Sequence, residues 1–432
     1  MYCFNMAESL DMLTLLTRRG VMPAGELLRT LGTSRPTLSR WVKGLKGQVV
    51  RIGRRRGARY GVYRQVPGVP SQLPVYRVNQ PGLVERVATL HLLAGGGGWH
   101  WLEQAQSKGD VFEGLPPIIA DMAPQGYLGR RFADSHPELG VPRRLQDWND
   151  DHRLMAVARR GEDGAGDLII GEESLDRFSA QARAPVARED YPRLARAAAA
   201  GAAGSSAGGE QAKFTAWNGV RHVIVKFTLG DGSPTDQRWR DLLVCESLAL
   251  EALQAHGIPA IVSRIVDVGT QRFLEVERFD RVEARGRRGV LTAGPLDDSL
   301  YGQRDNWPAL AGRLVRDGLL TAEDARRILL LEAFGELIGN SDRHFGNLAF
   351  FADAVRSAPR LELAPAYDML PMAFAPQNGI VPDARLGSVR PRAQVLEVWP
   401  EAAALAAKFW QRVVGDERIS PAFRELAARL PD

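Results

Sequence analysis

The sequence predicts an α+β chain in which a bilobal, kinase-type fold follows a winged helix-turn-helix domain, and three observations predict it. First, Asp342 and Asn347 stand five residues apart in Asn340-Ser341-Asp342-Arg343-His344-Phe345-Gly346-Asn347, and Asp368 follows beyond two short apolar runs. Kinase folds use this spacing to set a catalytic carboxylate and two magnesium ligands around ATP. Second, a strand carrying Lys226 and a helix carrying Glu246 come upstream in the order a nucleotide-binding lobe requires. Third, charge is segregated. Residues 1–66 hold 13 Lys and Arg against 3 Asp and Glu, a net of +10, so the remainder carries −5 of the overall +5.

The head spans residues 1–66. Pro23 to Leu31 reads as a short helix with Leu27, Leu28 and Leu31 inward, Gly32 as a turn, and Thr33 or Ser34 as the cap of a second helix to about Leu45. Leu38, Trp41, Val42 and Leu45 pack inward, which leaves Arg35, Thr37, Ser39, Arg40 and Lys43 on the exposed face of a recognition helix. Val49 to Tyr63 reads as two strands around the basic tip Arg54-Arg55-Arg56, the wing. Arginines there would contact phosphate or enter a minor groove, adding affinity that falls with salt. A protein-binding winged helix or a solvated basic loop is the alternative, and the charge segregation favours DNA.

Residues 67–200 carry the weakest pattern. Trp99, Trp101 and Trp148 read as core, His91 and His100 have no partners at metal-ligand spacing, and the segment reads as structural.

The nucleotide-binding lobe is expected over 201–285. Gly204-Ser205-Ser206-Ala207-Gly208-Gly209 offers glycines whose backbone N–H groups can approach phosphate oxygens. A flexible linker is the alternative, which the preceding run Ala197 to Ala203 favours on composition alone, and no Gly-Lys-Ser/Thr follows to make a Walker loop. Arg221 to Phe227 reads as a strand presenting Lys226 to the phosphates. Leu242 to His256 reads as a helix with Leu243, Leu250 and Leu253 apolar and Glu246 able to pair with Lys226, stopped by Gly257 and Pro259. Arg272 to Asp280 reads as a strand entering the connection between lobes, where backbone groups would bond adenine.

The catalytic lobe is expected over 286–432 and mainly helical. Ala325, Ile328, Leu329, Ala333, Leu337 and Ile338 give a helix over Ala322 to Ile338 one buried stripe. Leu348-Ala349-Phe350-Phe351 and Leu361-Glu362-Leu363 read as a hairpin after the Asp342 loop. Asp342 would orient the acceptor hydroxyl and accept its proton, while the Asn347 carboxamide and Asp368 carboxylate would hold the metal. Ala402 to Val414 and Pro421 to Leu430 read as closing helices.

Several separated motifs then resemble one family in order. These are Gly209-Glu210-Gln211-Ala212-Lys213 after the Gly/Ser loop, Glu277-Arg278-Phe279-Asp280, the Asn340 to Asn347 loop and Tyr367-Asp368. Phe112 to Pro117 and Pro124 to Gly129 join them upstream. Together, over roughly 70 to 430, the chain resembles the HipA-like serine/threonine kinases, the toxin half of HipA/HipB toxin-antitoxin systems, and within them the YjjJ-type subgroup with its own DNA-binding head. The resemblance implies ATP and Mg²⁺, transfer of phosphate to a protein serine, and growth arrest, and it leaves open whether a separate antitoxin is a partner. It makes residues 67–200 the HipA-type N-terminal subdomain that packs on the nucleotide-binding lobe, and by position it makes Asp342 the base, Asn347 and Asp368 the magnesium ligands, and Lys226 a phosphate contact. Glu277 and Phe279 become the backbone contacts to adenine, and Ser205, Ser206, Gly208 and Gly209 the phosphate loop. The resemblance also implies a loop serine whose autophosphorylation shuts the enzyme off. It aligns with Ser206, but Ser205 adjoins it and Ala212 stands where Pro is frequent. Nearly two added negative charges beside the ATP phosphates would repel them.

Composition agrees with this plan. A chain of 432 residues exceeds one core, and 45% hydrophobic and 25% charged residues are globular averages. Cys3 and Cys245 form no disulfide or metal framework, and no signal peptide or membrane-length apolar run is visible, so a cytoplasmic, in part nucleoid-associated, protein without a membrane partner is expected. Two other functions compete. A DNA-binding regulator with an inactive kinase fold is disfavoured by the complete set Lys226, Asp342, Asn347 and Asp368. A small-molecule kinase would need a discrete acceptor pocket where a protein kinase needs an open groove. The sequence leaves substrate, operator and oligomeric state open.

Overall fold

The computed structural model describes residues 3–53, 57–96, 98–104, 109–181, 184–200, 211–353, 360–382, 386 and 389–429. The head comprises α1 (Cys3–Arg19), β1 (Met22–Pro23), α2 (Ala24–Thr30), α3 (Arg35–Gly44), β2 (Val49–Ile52) and β3 (Arg59–Val62). Ser34 starts α3 by accepting the Thr37 N–H, as the sequence led one to expect, and Pro36 occupies the first turn. α1 was not anticipated. Its Met12 and Leu16 are fully buried against Leu27, Leu38 and Trp41, so the head core needs this helix to close. β3 lies between β1 and β2, antiparallel to both.

The middle unit is a five-stranded sheet of order β7-β6-β5-β4-β8, from β4 (Gln72–Val78), β5 (Val84–Leu93), β6 (Trp99–Gln104), β7 (Asp110–Glu113) and β8 (Leu168–Ile170). Before β8 come α4 (Pro117–Met122), α5 (Gly126–Arg130), α6 (Phe132–Ser135) and α7 (Asp150–Arg160), and after it α8 (Glu172–Ala180). Asn149 and His152 close a reciprocal cap at the start of α7, where Asp150 and Asp151 also suit the positive end of the helix.

Head and middle unit are joined by backbone as well as side chains. Arg64 N–H donates to Leu92 O (3.1 Å) and Ala94 N–H to Val62 O (2.8 Å), while Val21, Ile52, Leu93 and Trp101 share one apolar cluster. Gly20 lies under Trp99, where a Cβ would sit 2.1 Å from Nε1. The two histidines serve this joint. His91 Nδ1 meets Tyr63 Oη at 2.9 Å and its Nε2 meets Glu103 at 3.0 Å; His100 Nε2 accepts from Arg64 at 3.1 Å.

The nucleotide-lobe sheet has the order β11-β12-β10-β9, from β9 (Lys213–Trp217), β10 (His222–Phe227), β11 (Ser263–Val268) and β12 (Gln271–Glu277). α9 (Tyr191–Ala200) packs Tyr191, Ala195 and Ala198 on one face, against Phe214, Val223, Val225 and Phe273. α10 (Pro234–Ala255) packs against β11 and β12. It begins eight residues before the expected Leu242, because Ser233 caps it at Asp236 N–H and Pro234 occupies the first turn.

The ribbon β13 (Arg281–Val282) and β14 (Gly286–Arg287) leads into β15 (Val290–Thr292), α11 (Ala293–Leu300), α12 (Trp307–Arg316), α13 (Ala322–Leu337), β16 (Ala349–Phe351), β17 (Glu362–Leu363), α14 (Trp399–Gly415) and α15 (Pro421–Ala427). The expected hairpin is β16 with β17, extended by β15 into three strands. The result is the expected bilobal α+β architecture. One continuous apolar core runs from the middle sheet through α10 into α12, α13 and α14. Among the described residues no helix is long and apolar enough to cross a membrane.

Candidate active site

β10 and α10 are packed so that a strand cation meets a helix anion. Lys226 Nζ lies 2.6 and 2.7 Å from the two carboxylate oxygens of Glu246 and 2.5 Å from Asp368 Oδ1. Lys226 is 4% exposed and Glu246 fully buried, while the Asp368 side chain keeps 28% exposure, so one ammonium is shared between a buried carboxylate and one that faces the cleft. Burial opposes the charge on Lys226, yet Asp368 and Glu246 outweigh it and hold the ammonium well above its usual range. Burial likewise opposes the Asp368 charge, and Lys226 with Lys213 overcomes it, holding that carboxyl well below its usual range. Glu246 is pushed upward by burial against the pull of Lys226.

The Asp342 loop leaves α13 through Gly339, whose φ of +76° reverses the chain. Asn340 is 1% exposed; Asp342 and His344 stand in solvent. Asp342 N–H donates to Asn340 Oδ1 at 3.0 Å, and Asn347 Nδ2 donates to Asp342 O at 2.8 Å, so the Asn347 amide nitrogen faces the loop backbone and its oxygen is the end that could meet a cation. His344 Nδ1 accepts Gly346 N–H at 2.9 Å, and its Nε2 lies 3.8 Å from Asp342 Oδ1. The loop is buttressed by Trp307, which donates to His344 O at 3.1 Å, and by Tyr367, which donates to Gly346 O at 2.7 Å. Asp368 takes φ +50°, a left-handed conformation that costs a non-glycine residue about 1–3 kcal/mol and is common at functional sites.

A cleft of about 730 Å³ opens over Lys226 and Asp368. Ile224, Ile261, Val276, Val290 and Ala349 give it apolar walls, and Lys213 and Thr215 join from β9. Lys213 is the cross-strand partner of Lys226, so both face the same side of the sheet. Glu277 and Phe279 line the cleft at the connection between lobes. The Glu277 side chain is held by Arg221 at 2.5 Å and its N–H donates to Val262 O, which leaves its carbonyl for a ligand. The Phe279 ring packs tilted against Tyr367, with centroids 5.5 Å apart. A cleft with apolar walls that ends in an ammonium and a carboxylate suits a purine nucleotide. The hard oxygens of Asp368 and Asn347 suit magnesium. Among the described residues no group of three or more His, Cys, Asp or Glu gathers as a metal site, so the phosphates would have to complete the coordination.

The middle unit, expected to be structural, walls this cleft. Asp121 to Gln125 and Glu162 to Ala165 line it. Asp121 accepts Thr292 N–H at 2.8 Å and Thr292 Oγ1 at 2.6 Å, and burial pushes its carboxyl upward. Arg281 donates to Gly164 O at 2.7 Å, and Gly166 N–H to Asp280 at 3.0 Å, tying the middle unit to the segment after Phe279.

Lys226, Glu277, Phe279 and Asp368 thus share one cleft, with Asp342 and Asn347 on the adjoining loop. Ser205, Ser206, Gly208 and Gly209 lie outside the described residues, as do Arg54, Arg55 and Arg56. Arg35, Arg40 and Lys43 are exposed on α3, with Thr37 partly so. Asn340, Lys213, Asp121 and Thr292 were not singled out from sequence as site residues. Lys213 had a signal in closing the Gly209 to Lys213 motif, though its pairing with Lys226 emerges only in the sheet; Asp121 and Thr292 had none, because long-range pairing leaves no local pattern.

Two family profiles match the chain. One is described as the middle domain of YjjJ-like toxins and covers residues 69–179; the other, the HipA-like C-terminal domain, covers residues 205–432. Toxin YjjJ of Escherichia coli (strain K12) is 35% identical over 433 residues, covering 97% of this chain and 96% of its own. A chain from the Shewanella oneidensis MR-1 complex of HipA, HipB and operator DNA is 15% identical, over 83% of this chain and 92% of its own, with a TM-score of 0.47. The Helicobacter pylori proinflammatory kinase CtkA is 14% identical, over 37% of this chain and 53% of its own, with a TM-score of 0.30.

Proposed function

This chain belongs to the HipA-like toxin family, in its YjjJ-like branch, and from that premise we propose that it is an ATP- and magnesium-dependent protein serine/threonine kinase fused to a DNA-binding winged helix. The observation that carries the reading is the convergence of Lys226, Glu246 and Asp368 at one cleft beside the Asp342 to Asn347 loop. Bound nucleotide supplies the phosphoryl group, and the cation neutralises charge that builds on it. The residues of the chain do the rest. Asp342, in solvent at the loop tip, orients the acceptor hydroxyl and takes its proton. Asp368 is already ionised beside Lys226, so no proton need leave before it binds a cation. Lys226 meets the phosphates, while Glu277 and Phe279 offer backbone groups to adenine. Glycines 208 and 209 would cradle phosphate, and Ser206 or Ser205 would be the self-modified residue.

An exposed base favours a protein acceptor, since a small alcohol would need an enclosing pocket. The head is read as a winged helix-turn-helix that contacts DNA through Arg35, Thr37, Arg40 and Lys43 of α3 and Arg54, Arg55 and Arg56 between β2 and β3. Its support is the +10 net charge of residues 1–66. Family membership makes a separate antitoxin an expected partner. The test is transfer of label from γ-labelled ATP with Mg²⁺ to protein serine, run beside a panel of small alcohols. Label on protein supports the proposal; turnover confined to a small alcohol, or no transfer at all, rejects it.

A further inference from the structure

Asn340 lies between the two loops that the kinase reading makes chemically active. Its own backbone is fixed: its N–H donates to Gly335 O at 2.8 Å, and its carbonyl accepts from Arg343. Its side-chain amide is engaged at both ends. Oδ1 accepts Asp342 N–H at 3.0 Å; Nδ2 donates to Asp368 O at 3.2 Å and lies 3.5 Å from Met369 Sδ. The amide cannot be reversed, since that would set N–H against N–H and oxygen against carbonyl. A single planar group therefore ties the backbone of the expected base to that of the expected metal ligand. The Asp368 end carries the left-handed φ of +50°, a conformation that persists only where neighbours hold it.

We propose that Asn340 is a positioning residue for phosphoryl transfer, whose amide fixes Asp342 and Asp368 relative to each other so that base and cation ligand address the same phosphoryl group. The inference deepens the kinase reading and rests on it. Substitutions separate the two ends. Asn340→Asp keeps an acceptor for Asp342 N–H but turns a carboxylate toward the Asp368 carbonyl. Asn340→Ala releases both loops.

The experiment titrates Mg²⁺ against phosphoryl transfer at saturating ATP in the full chain, with binding of a fluorescent ATP analogue in EDTA and thermal melting as companions. For Asn340→Asp the half-saturating Mg²⁺ concentration should rise about tenfold, with kcat largely recovered at high Mg²⁺. For Asn340→Ala kcat should fall about 100-fold at any Mg²⁺ concentration. Analogue binding in EDTA should stay within about twofold in both, given that a buttress usually acts on metal affinity or activity. A wild-type Mg²⁺ profile in Asn340→Asp, or wild-type kcat in Asn340→Ala, overturns the proposal. If the buried carboxylate prevents folding, Asn340→Ser takes its place: raised Mg²⁺ demand with lowered kcat supports the proposal, and a wild-type profile overturns it. A wild-type protein that transfers no phosphate overturns the kinase reading itself, an outcome distinct from an active wild type with unchanged variants.

Discussion

Glu246→Gln separates the architecture of the cleft from its chemistry. Glu246 is fully buried and gives Lys226 two bonds, at 2.6 and 2.7 Å, while Asp368 gives it a third at 2.5 Å. Glutamine keeps the shape and one acceptor but removes a charge, so two of the three charge-assisted bonds are broken or weakened. Breaking a buried ion pair by removing one partner costs about 3–5 kcal/mol, and the retained acceptor places this variant at about 3 kcal/mol. For a folding unit of the size of the two kinase lobes, each kcal/mol moves Tm by about 2–4 °C, so a fall of about 6–12 °C is expected. The ammonium then leans wholly on Asp368 and withholds it from the cation, so transfer should fall about 100-fold at a temperature where the variant is folded. Glu275→Gln is the control. Glu275, on β12 of the same sheet as Lys226, is 4% exposed and paired with Arg188 at 2.7 and 2.8 Å and with Tyr191 of α9, but faces away from Lys226. It should lower Tm comparably and leave transfer near wild type. Calorimetry and a γ-phosphate transfer assay read both. Equal loss of transfer in the two variants, or wild-type behaviour in Glu246→Gln, would refute the assignment of Glu246 to the cleft chemistry.

Other expectations follow from the same geometry. Asp342→Ala and Asp368→Ala should each cut transfer by about 10²–10⁴-fold and leave DNA affinity unchanged in a gel shift; a fully active Asp342→Ala rejects the catalytic assignment. Arg35, Arg40 and Lys43 changed together to Ala should weaken DNA binding and reduce its salt slope by about 0.9 for each phosphate that is no longer neutralised; an unchanged slope rejects the recognition face. His100 is buried neutral, with burial lowering its pKa from 6.5 to about 4 against the opposing Gly114 carbonyl. The unfolded chain therefore takes up a proton between those values that the native chain refuses, and stability present above pH 6.5 falls by about 3 kcal/mol as pH drops toward 4. Urea midpoints should fall less with acid in His100→Gln than in wild type; equal pH slopes contradict this. Gly95→Ala would place a Cβ 2.2 Å from Gly20 Cα at φ +115°, backbone against backbone, and should cost about 3 kcal/mol at the joint between head and body, read as a lower Tm.

What the sequence revealed of this site follows from how each residue is specified. The pairing of Lys226 with Glu246 was legible because a strand cation and a helix anion stand at the separation a nucleotide-binding lobe uses, and the loop shared by Asp342 and Asn347 because its polar residues recur at a local spacing. The hairpin of β16 and β17 was legible through its apolar runs, and Ser34 through its cap position. The start of α10 was missed because its first two turns, Pro234 to Asp241, are polar on most faces and lack the apolar stripe that periodicity detects. α1 was missed although Met12 and Leu16 recur at helical spacing, because Leu10, Leu13 and Leu15 spread apolar side chains around the helix and blur the buried stripe. The role of the middle unit was hidden for another reason. Asp121 meets Thr292 across 171 residues, and Gly164 meets Arg281 across 117, pairings that only the folded chain brings together.

The most direct test of the central claim is intact-mass and peptide mass spectrometry of the purified protein after incubation with Mg²⁺ and ATP, beside Asp342→Ala. The account predicts phosphate on Ser206 or Ser205 in the wild type and none in the variant. Equal phosphate in both, or an unmodified wild type that also leaves every offered protein unlabelled, would contradict it.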